Sequence, residues 1–210
     1  MKPPIRLLAG ALPAMGLAAG LTMGGTGTAR ADVVPPSGTW SEIFSPYLHA
    51  QGNTLCFDDP SGSTARDQPM QLWRCHGYAS NGTMERWAII PVLDSVTDLP
   101  IRDWTNQSDP GSPLYYVYNL AANECLTGSA TLALGQQLTL DPCTYVGTRW
   151  ELSSDNAISS SGTDFQLHLW TSNPGFQDCA SASNFTDSSG TRLVIEPCSL
   201  YDTSQIWNLG

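Results

Sequence analysis

The sequence predicts an all-β fold of three similar units that share one core about a pseudo-threefold axis. Three observations predict it. First, six cysteines stand at 56, 75, 125, 143, 179 and 198, and taken consecutively they form pairs separated by 19, 18 and 19 residues. Second, each pair is flanked by short alternating apolar runs, separated by Gly, Ser, Asn, Asp and Pro, the pattern of strands and turns. Third, a tryptophan follows each second cysteine: Trp87, Trp150 and Trp207. No window after residue 31 sustains a helical period.

Residues 1–31 read as a secretory signal. Lys2 and Arg6 precede an apolar run from Leu7 to Met23, and Ala29-Arg30-Ala31 forms a cleavage site before Asp32. The run is short, is broken by Pro13 and glycines, and is a poor membrane anchor. The expectation is an exported, extracellular protein without membrane insertion, its mature part beginning at Asp32. Cleavage removes Lys2, Arg6 and Arg30 from the nine basic residues, leaving six arginines against 19 Asp and Glu, a net charge of −13. Such a surface repels phosphate backbones and anionic membranes, so nucleic acid is excluded as a partner.

Residues 32–45, with Pro35-Pro36, read as an extended leader, and 46–210 as the folded body. Its lobes are expected at about 46–90, 114–152 and 165–210. The stretch 91–113, which contains Asp94, Asp98, Asp103 and Asp109, reads as an insertion carried by the first lobe alone. Within each lobe one strand precedes the first cysteine: Tyr47-Leu48, then Leu114 to Tyr118, then Phe165 to Trp170. Another precedes the second cysteine: Met70 to Arg74, Leu138 to Asp141, Leu193 to Glu196. Each lobe is too small to bury its own apolar face, which is why the three must share a core. The three equivalent tryptophans are expected inside it.

An even number of cysteines in an exported chain points to disulfides rather than metal ligands. Six cysteines allow 15 connectivities, and the near-equal spacing favours Cys56–Cys75, Cys125–Cys143 and Cys179–Cys198. Each would close a loop of about 20 residues, worth roughly 3 kcal/mol on chain-entropy grounds. Zinc would want C-x2-C spacing, which is absent. The acidic stretch Asp58–Asp67 lacks the D-x-D-x-D-G order of a calcium loop and reads as a solvated turn. No metal or cofactor is expected.

The repeat resembles the ricin-type lectin unit, with apolar-x-apolar-x-Asn ahead of Cys-Leu, then Gln-Leu-Trp-x-Cys, then Gln-x-Trp. The second copy has Tyr115-Tyr116-Val117-Tyr118-Asn119 ahead of Glu124-Cys125-Leu126, the first has Gln71-Leu72-Trp73-Arg74-Cys75, and the third has Gln205-Ile206-Trp207. Glu85 and Thr148 replace that last glutamine in the other two lobes. The resemblance spans about residues 45–210 and implies a twelve-stranded β-trefoil that binds carbohydrate.

The repeats also allow the lobes to be compared with one another. In the strand before the second cysteine, Met70 and Leu72, Leu138 and Leu140, Leu193 and Ile195 share one face, which must be the core face. The opposite face holds Gln71 and Trp73, Thr139 and Asp141, Val194 and Glu196. Trp73 therefore stands where its sisters carry carboxylates, and an aromatic at an outward position suggests a contact surface. Two residues beyond the first cysteine stand Asp58, Thr127 and Ser181, so only the first lobe has a carboxylate there.

A sugar presents an apolar ring face flanked by hydroxyls. It is bound by an aromatic platform together with a carboxylate and an amide. Asp58, Gln71 and Trp73 supply these three from one lobe, at the positions where the resemblance places the aspartate, glutamine and stacking aromatic. Where the family carries an Asn-Gln pair, this chain has Met84 and Glu85; Glu85 is retained as a candidate, and Asn81 in Asn81-Gly82 offers the missing amide. One glycan or polysaccharide site is expected, in lobe one. The structural alternative has Asp58 capping a turn and Trp73 packed under the insertion beside Trp104.

The chain carries no G-x-S-x-G or H-E-x-x-H, its three histidines (His49, His76, His168) are scattered, and three equal repeats leave no separate catalytic domain. It is read as non-enzymatic, and His76 as a loop residue. The rival reading is an interaction protein, such as a toxin-like receptor-binding subunit or a trefoil-type inhibitor, docking a protein partner through the region of Trp40 or Trp104. Exposed aromatics around Asp58 and Gln71 favour sugar; around Trp40 and Trp104 they favour protein.

Overall fold

The chain divides into two units, residues 1–31 and 32–210. The computed structural model describes residues 40–50, 52–60, 62, 67–77, 83–103, 111–128, 133–144, 147–153, 164–170, 178–183 and 188–210. All belong to the second unit. Their regular structure is β apart from short 3-10 turns, among them Thr83–Glu85 and Thr203–Gln205. No helix among them is long and apolar enough to cross a membrane.

Lobe one contributes β1 (Ile43–Ala50), β2 (Asn53–Asp58), β3 (Gln68–Pro69), β4 (Gln71–Arg74) and β5 (Trp87–Pro91). The insertion carries β6 (Arg102–Asp103). Lobe two contributes β7 (Ser112–Asn119), β8 (Glu124–Thr127), β9 (Thr139–Asp141) and β10 (Trp150–Ser153). Lobe three contributes β11 (Gln166–Leu169), β12 (Asp178–Ala182), β13 (Thr191–Pro197) and β14 (Asn208–Leu209). Apart from the two-residue β3 and β6, these are the twelve strands expected, four to a lobe.

The first and fourth strands of the lobes close a six-stranded antiparallel barrel. β5 pairs β7, β7 pairs β10, β10 pairs β11, and β14 pairs β1 through Ile43↔Leu209 and Phe44↔Asn208. Two bridges complete the ring, Ser41↔Trp87 and Phe165↔Trp207. Closure leaves no barrel edge exposed to pair with another chain. The second and third strands form hairpins, β2–β4, β8–β9 and β12–β13, that cap one end.

The cap carries the threefold relation in its backbone. The N–H of Met70 donates to the Leu138 carbonyl at 2.9 Å, that of Leu138 to Leu193 at 2.8 Å, and that of Leu193 back to Met70 at 3.1 Å. These are equivalent residues of the three lobes, all fully buried. The predicted core face is thereby confirmed: Met70, Leu72, Leu138, Leu140, Leu193 and Ile195 all lie in one apolar cluster.

The three tryptophans repeat one arrangement inside that cluster. Each is fully buried, and its indole N–H donates to the carbonyl just after the first cysteine of its own lobe: Trp87 to Phe57 at 3.1 Å, Trp150 to Leu126 at 2.8 Å, Trp207 to Ala180 at 3.1 Å. Burying a large apolar side chain contributes about 1.5–3 kcal/mol, and the indole donor is satisfied as a buried one must be. The disulfides are Cys56–Cys75, Cys125–Cys143 and Cys179–Cys198, with Cα–Cα distances of 5.0, 5.0 and 4.9 Å. Each ties the two strands of a cap hairpin.

Two boundaries differ from expectation. Barrel pairing in lobe one already involves Ser41, and β1 begins at Ile43, so residues 41–45 are barrel rather than leader. The fourth strand needs a partner on that side, and Ser41 exchanges backbone bonds of 2.9 and 2.8 Å with Trp87. Likewise β7 begins at Ser112, inside the stretch 91–113, because β6 folds back to pair Arg102 with Pro113 and Asp103 with Ser112. The insertion is anchored by Val92 and Ile101, which join a second apolar cluster with Leu114, Tyr116, Tyr118 and the Cys125–Cys143 bridge.

Candidate functional site

Strands β2 and β4 run antiparallel with Asp58 directly across from Gln71 and Cys56 across from Trp73. Because side chains alternate along a strand, Gln71 and Trp73 face away from the core side of Leu72, and directly paired residues share a face. The structure therefore brings Asp58, Gln71 and Trp73 together on the outer face of the first cap hairpin. Gln71 Nε2 donates to Asp58 Oδ2 at 2.8 Å. Trp73 is 37% exposed, and Asp58 is 7% exposed at the end of β2. The sister of Trp73 in lobe two, Asp141, is only 4% exposed. An outward aromatic is thus a property of lobe one.

The edge of the Trp73 ring lies against Gly190 of lobe three: a Cβ there would stand 3.9 Å from Trp73 Cζ3. Trp104 and Asn81 lie outside the described residues, and with them the expected pairing of Trp73 with Trp104 and the amide expected from Asn81, as do residues 61 and 63–66 of the Asp58–Asp67 turn.

Burial raises the Asp58 carboxyl above its ordinary pKa; the Gln71 amide opposes this, the neighbouring Asp59 adds to it, and His76 opposes it. His76 and Asp58 also act on Glu85. Its carboxyl is also raised, first by burial, with the backbone and side chain of His76 opposing and Asp58 adding.

Glu85 is 1% exposed and is held from both oxygens. The His76 backbone N–H donates to Oε2 at 2.9 Å, and His76 Nδ1 lies 2.6 Å from Oε1. In lobe three the equivalent Gln205 accepts from the equivalent N–H, that of Ser199, at 2.8 Å, and donates to Pro197 O at 2.9 Å. In lobe two Thr148 Oγ1 donates to Cys143 O at 3.0 Å. The glutamine of Gln-x-Trp thus ties the end of the second-cysteine strand to the 3-10 turn. Glu85 does this in lobe one, with His76 as the partner that a carboxylate requires. Sequence reasoning read His76 only as a loop residue; the signal for its role was its place one residue beyond the second cysteine, opposite the lobe's Gln-to-Glu change.

Trp40, the proposed docking aromatic of the leader, packs its ring 5.9 Å from Tyr118 and belongs to the second apolar cluster. Among the described residues of the insertion, the exposed large apolar side chains are Leu93, Val96 and Leu99. The loop that presents them is fixed by Asp94 Oδ1, which accepts from Val96 N at 3.0 Å and Thr97 N at 2.9 Å.

No family model and no curated protein matches the chain in sequence. Its three-dimensional likenesses are with a designed threefold-symmetric protein, ThreeFoil, at 12% identity and TM-score 0.56, covering 81% of this chain and 97% of that one. The C-half of the earthworm R-type lectin, solved with GalNAc, is similar at 10% identity and TM-score 0.50, covering 81% and 97%. The fold is a β-trefoil. The Haemophilus ducreyi cytolethal distending toxin has a chain of the same fold, at 14% identity and TM-score 0.50, covering 84% and 87%. At these identities the likeness establishes the trefoil and leaves the site to be argued from its own residues.

Proposed function

We propose that the chain is an exported, non-catalytic carbohydrate-binding protein whose site lies on the outer face of the lobe-one hairpin. The observation that carries this reading is the half-exposed Trp73 beside the hydrogen-bonded pair Asp58–Gln71, a combination found in one lobe of three. The indole supplies a flat apolar face for a pyranose ring. Gln71 engages one carboxylate oxygen of Asp58 and so orients the other to accept from a sugar hydroxyl, the stronger kind of hydrogen bond because the acceptor is ionised. Glu85 and His76 act behind this set by fixing the 3-10 turn. Export rests on the charged, apolar and cleavable pattern of residues 1–31 and accords with three disulfides.

The test is a glycan array probed with the oxidised protein, its Trp73→Ala variant and Asp141→Ala. Trp73→Ala is expected to remove binding with an unchanged melting temperature, while Asp141→Ala binds as the parent does. Full binding by Trp73→Ala overturns the site. A second reading, a subunit that docks a protein partner, is favoured by one observation, the exposed Leu93, Val96 and Leu99 on the insertion. An absence of glycan binding together with complex formation that Val96→Asp abolishes would replace the first reading by the second.

A further inference from the structure

The lobe-one trio does not end at the lobe boundary. Strand β13 of lobe three pairs with β4, placing Arg192 directly across from Gln71 and Thr191 across from Leu72. Asp58, Gln71 and Arg192 therefore form one continuous row over three strands, a carboxylate, an amide and a guanidinium on the same face. In the adjoining row Trp73 borders Gly190, whose N–H donates to Leu72 O at 2.8 Å. Glycine at this place has a φ of +88°, and no side chain rises between the indole and what lies beyond it.

Beyond Gly190 and Arg192 lies a depression of about 430 Å³, lined among others by Ser183, Ser188, Ser189, Arg192, Val194 and Glu196. The volume falls within the range of small-molecule pockets, about 300–1,000 Å³. Val194 gives it an apolar floor; the remaining groups named are hydroxyls and one charge of each sign. Arg192 is exposed, and among the described residues no hydrogen bond or ion pair engages its guanidinium. It also corrects a deficit in the trio. Asp58 offers only acceptors when ionised, and Gln71 already spends a donor on it, whereas a guanidinium carries five N–H donors. A pyranose needs both kinds of partner.

We infer that the ligand is an oligosaccharide of at least two sugar units, one stacked on Trp73 and held by Asp58, the next passing over Gly190 into the lobe-three depression, where Arg192 donates to its oxygens. This rests on the carbohydrate reading above and extends the same site across the boundary between lobes one and three. A nucleic-acid strand would meet Asp58 and Glu196 on a body of strong net negative charge, the opposite of what a phosphate backbone requires.

The test is calorimetric titration of the oxidised protein and Arg192→Ala with galactose-, glucose- and xylose-based saccharides of one to six units. For the parent, affinity for the sugar series that binds is expected to rise at least about tenfold from the monosaccharide to the di- or trisaccharide, the size of a charge-assisted hydrogen bond. In Arg192→Ala most of that gain is expected to vanish, with far-UV circular dichroism and melting temperature as in the parent. A parent that binds mono- and oligosaccharide equally, or a variant that keeps the full gain, overturns the extension while leaving the Trp73 site standing. A parent that binds no saccharide of any length overturns both.

Discussion

At the scale of single residues, the proposed lobe-one site joins two demands that conflict. Asp58 must be ionised to accept strongly from a ligand, yet burial disfavours its charge and holds its pKa above the ordinary value despite the Gln71 hydrogen bond. A carboxyl whose folded pKa is raised contributes stability below the ordinary carboxylate range, and that contribution is lost as pH climbs through the raised value. Asp58→Asn keeps an acceptor for Gln71 and removes the titration. Its melting temperature is therefore expected to match the parent's at low pH and to exceed it increasingly as pH rises through the mildly acidic range. A difference that instead grows on acidification would reverse the sign argued here. Retention of a costly carboxylate at this position is what a binding role would demand, since an amide would satisfy Gln71 at less cost.

At the scale of elements, the hairpins and returns of the cap are held to close tolerances. Gly147 opens the return into β10 with a φ of +93°, and a Cβ there would stand 2.2 Å from the Gly128 carbonyl oxygen. The two glycines are linked by a bond of 3.0 Å from Gly128 N to Gly147 O, so neither strand end can yield without breaking it. Gly147→Ala should destabilise the protein by about 2 kcal/mol or more, combining left-handed backbone strain with the clash. Urea denaturation measures this; a variant within about 0.5 kcal/mol of the parent would show that the return relaxes freely. The insertion behaves differently. Val92 and Ile101 sew it to lobe two, while Val96 at 88% exposure projects from the turn fixed by Asp94, so its base is structural and that turn is exposed.

At the scale of the whole molecule, three lobes make one cooperative body because none can be completed alone. The Met70–Leu138–Leu193 ring of backbone bonds draws one donor and one acceptor from every lobe, and β14 closes the barrel on β1, the two strands lying near opposite ends of the folded body. Unfolding in urea is accordingly expected to be a single transition, coincident by tryptophan fluorescence and circular dichroism. Deleting residues 208–210 removes the Ile43↔Leu209 and Phe44↔Asn208 pairs and the bond from Gly210 N to Glu42 O. This should lower the melting temperature of all three lobes together. Separate transitions for lobe three and the remainder would show that the lobes are independent.

Much of this architecture is legible in the sequence, and the reason is repetition. A requirement that recurs three times, such as a cysteine pair, an alternating apolar strand or a buried tryptophan, separates itself from accident without any other protein for comparison. The pairing of cysteines, the core face of the second-cysteine strands and the burial of Trp87, Trp150 and Trp207 follow from period and spacing, which are local. So does the lobe-one trio, since Asp58, Gln71 and Trp73 sit on two strands of one hairpin joined by a disulfide. The role of Glu85 was less legible: a carboxylate beside a candidate site suggests ligand contact, and only the fold shows both of its oxygens taken by His76. Arg192 was not legible at all. It is separated from Gln71 by 121 positions and meets it only because β13 pairs with β4 across the lobe boundary. Local pattern thus determined the lobes, their bridges and the lobe-one part of the proposed site. Which lobe lies against which, and therefore what stands beside Trp73, was decided by the tertiary structure, because the cap hairpins pair across lobe boundaries and bring together strands whose sequences carry no mark of one another.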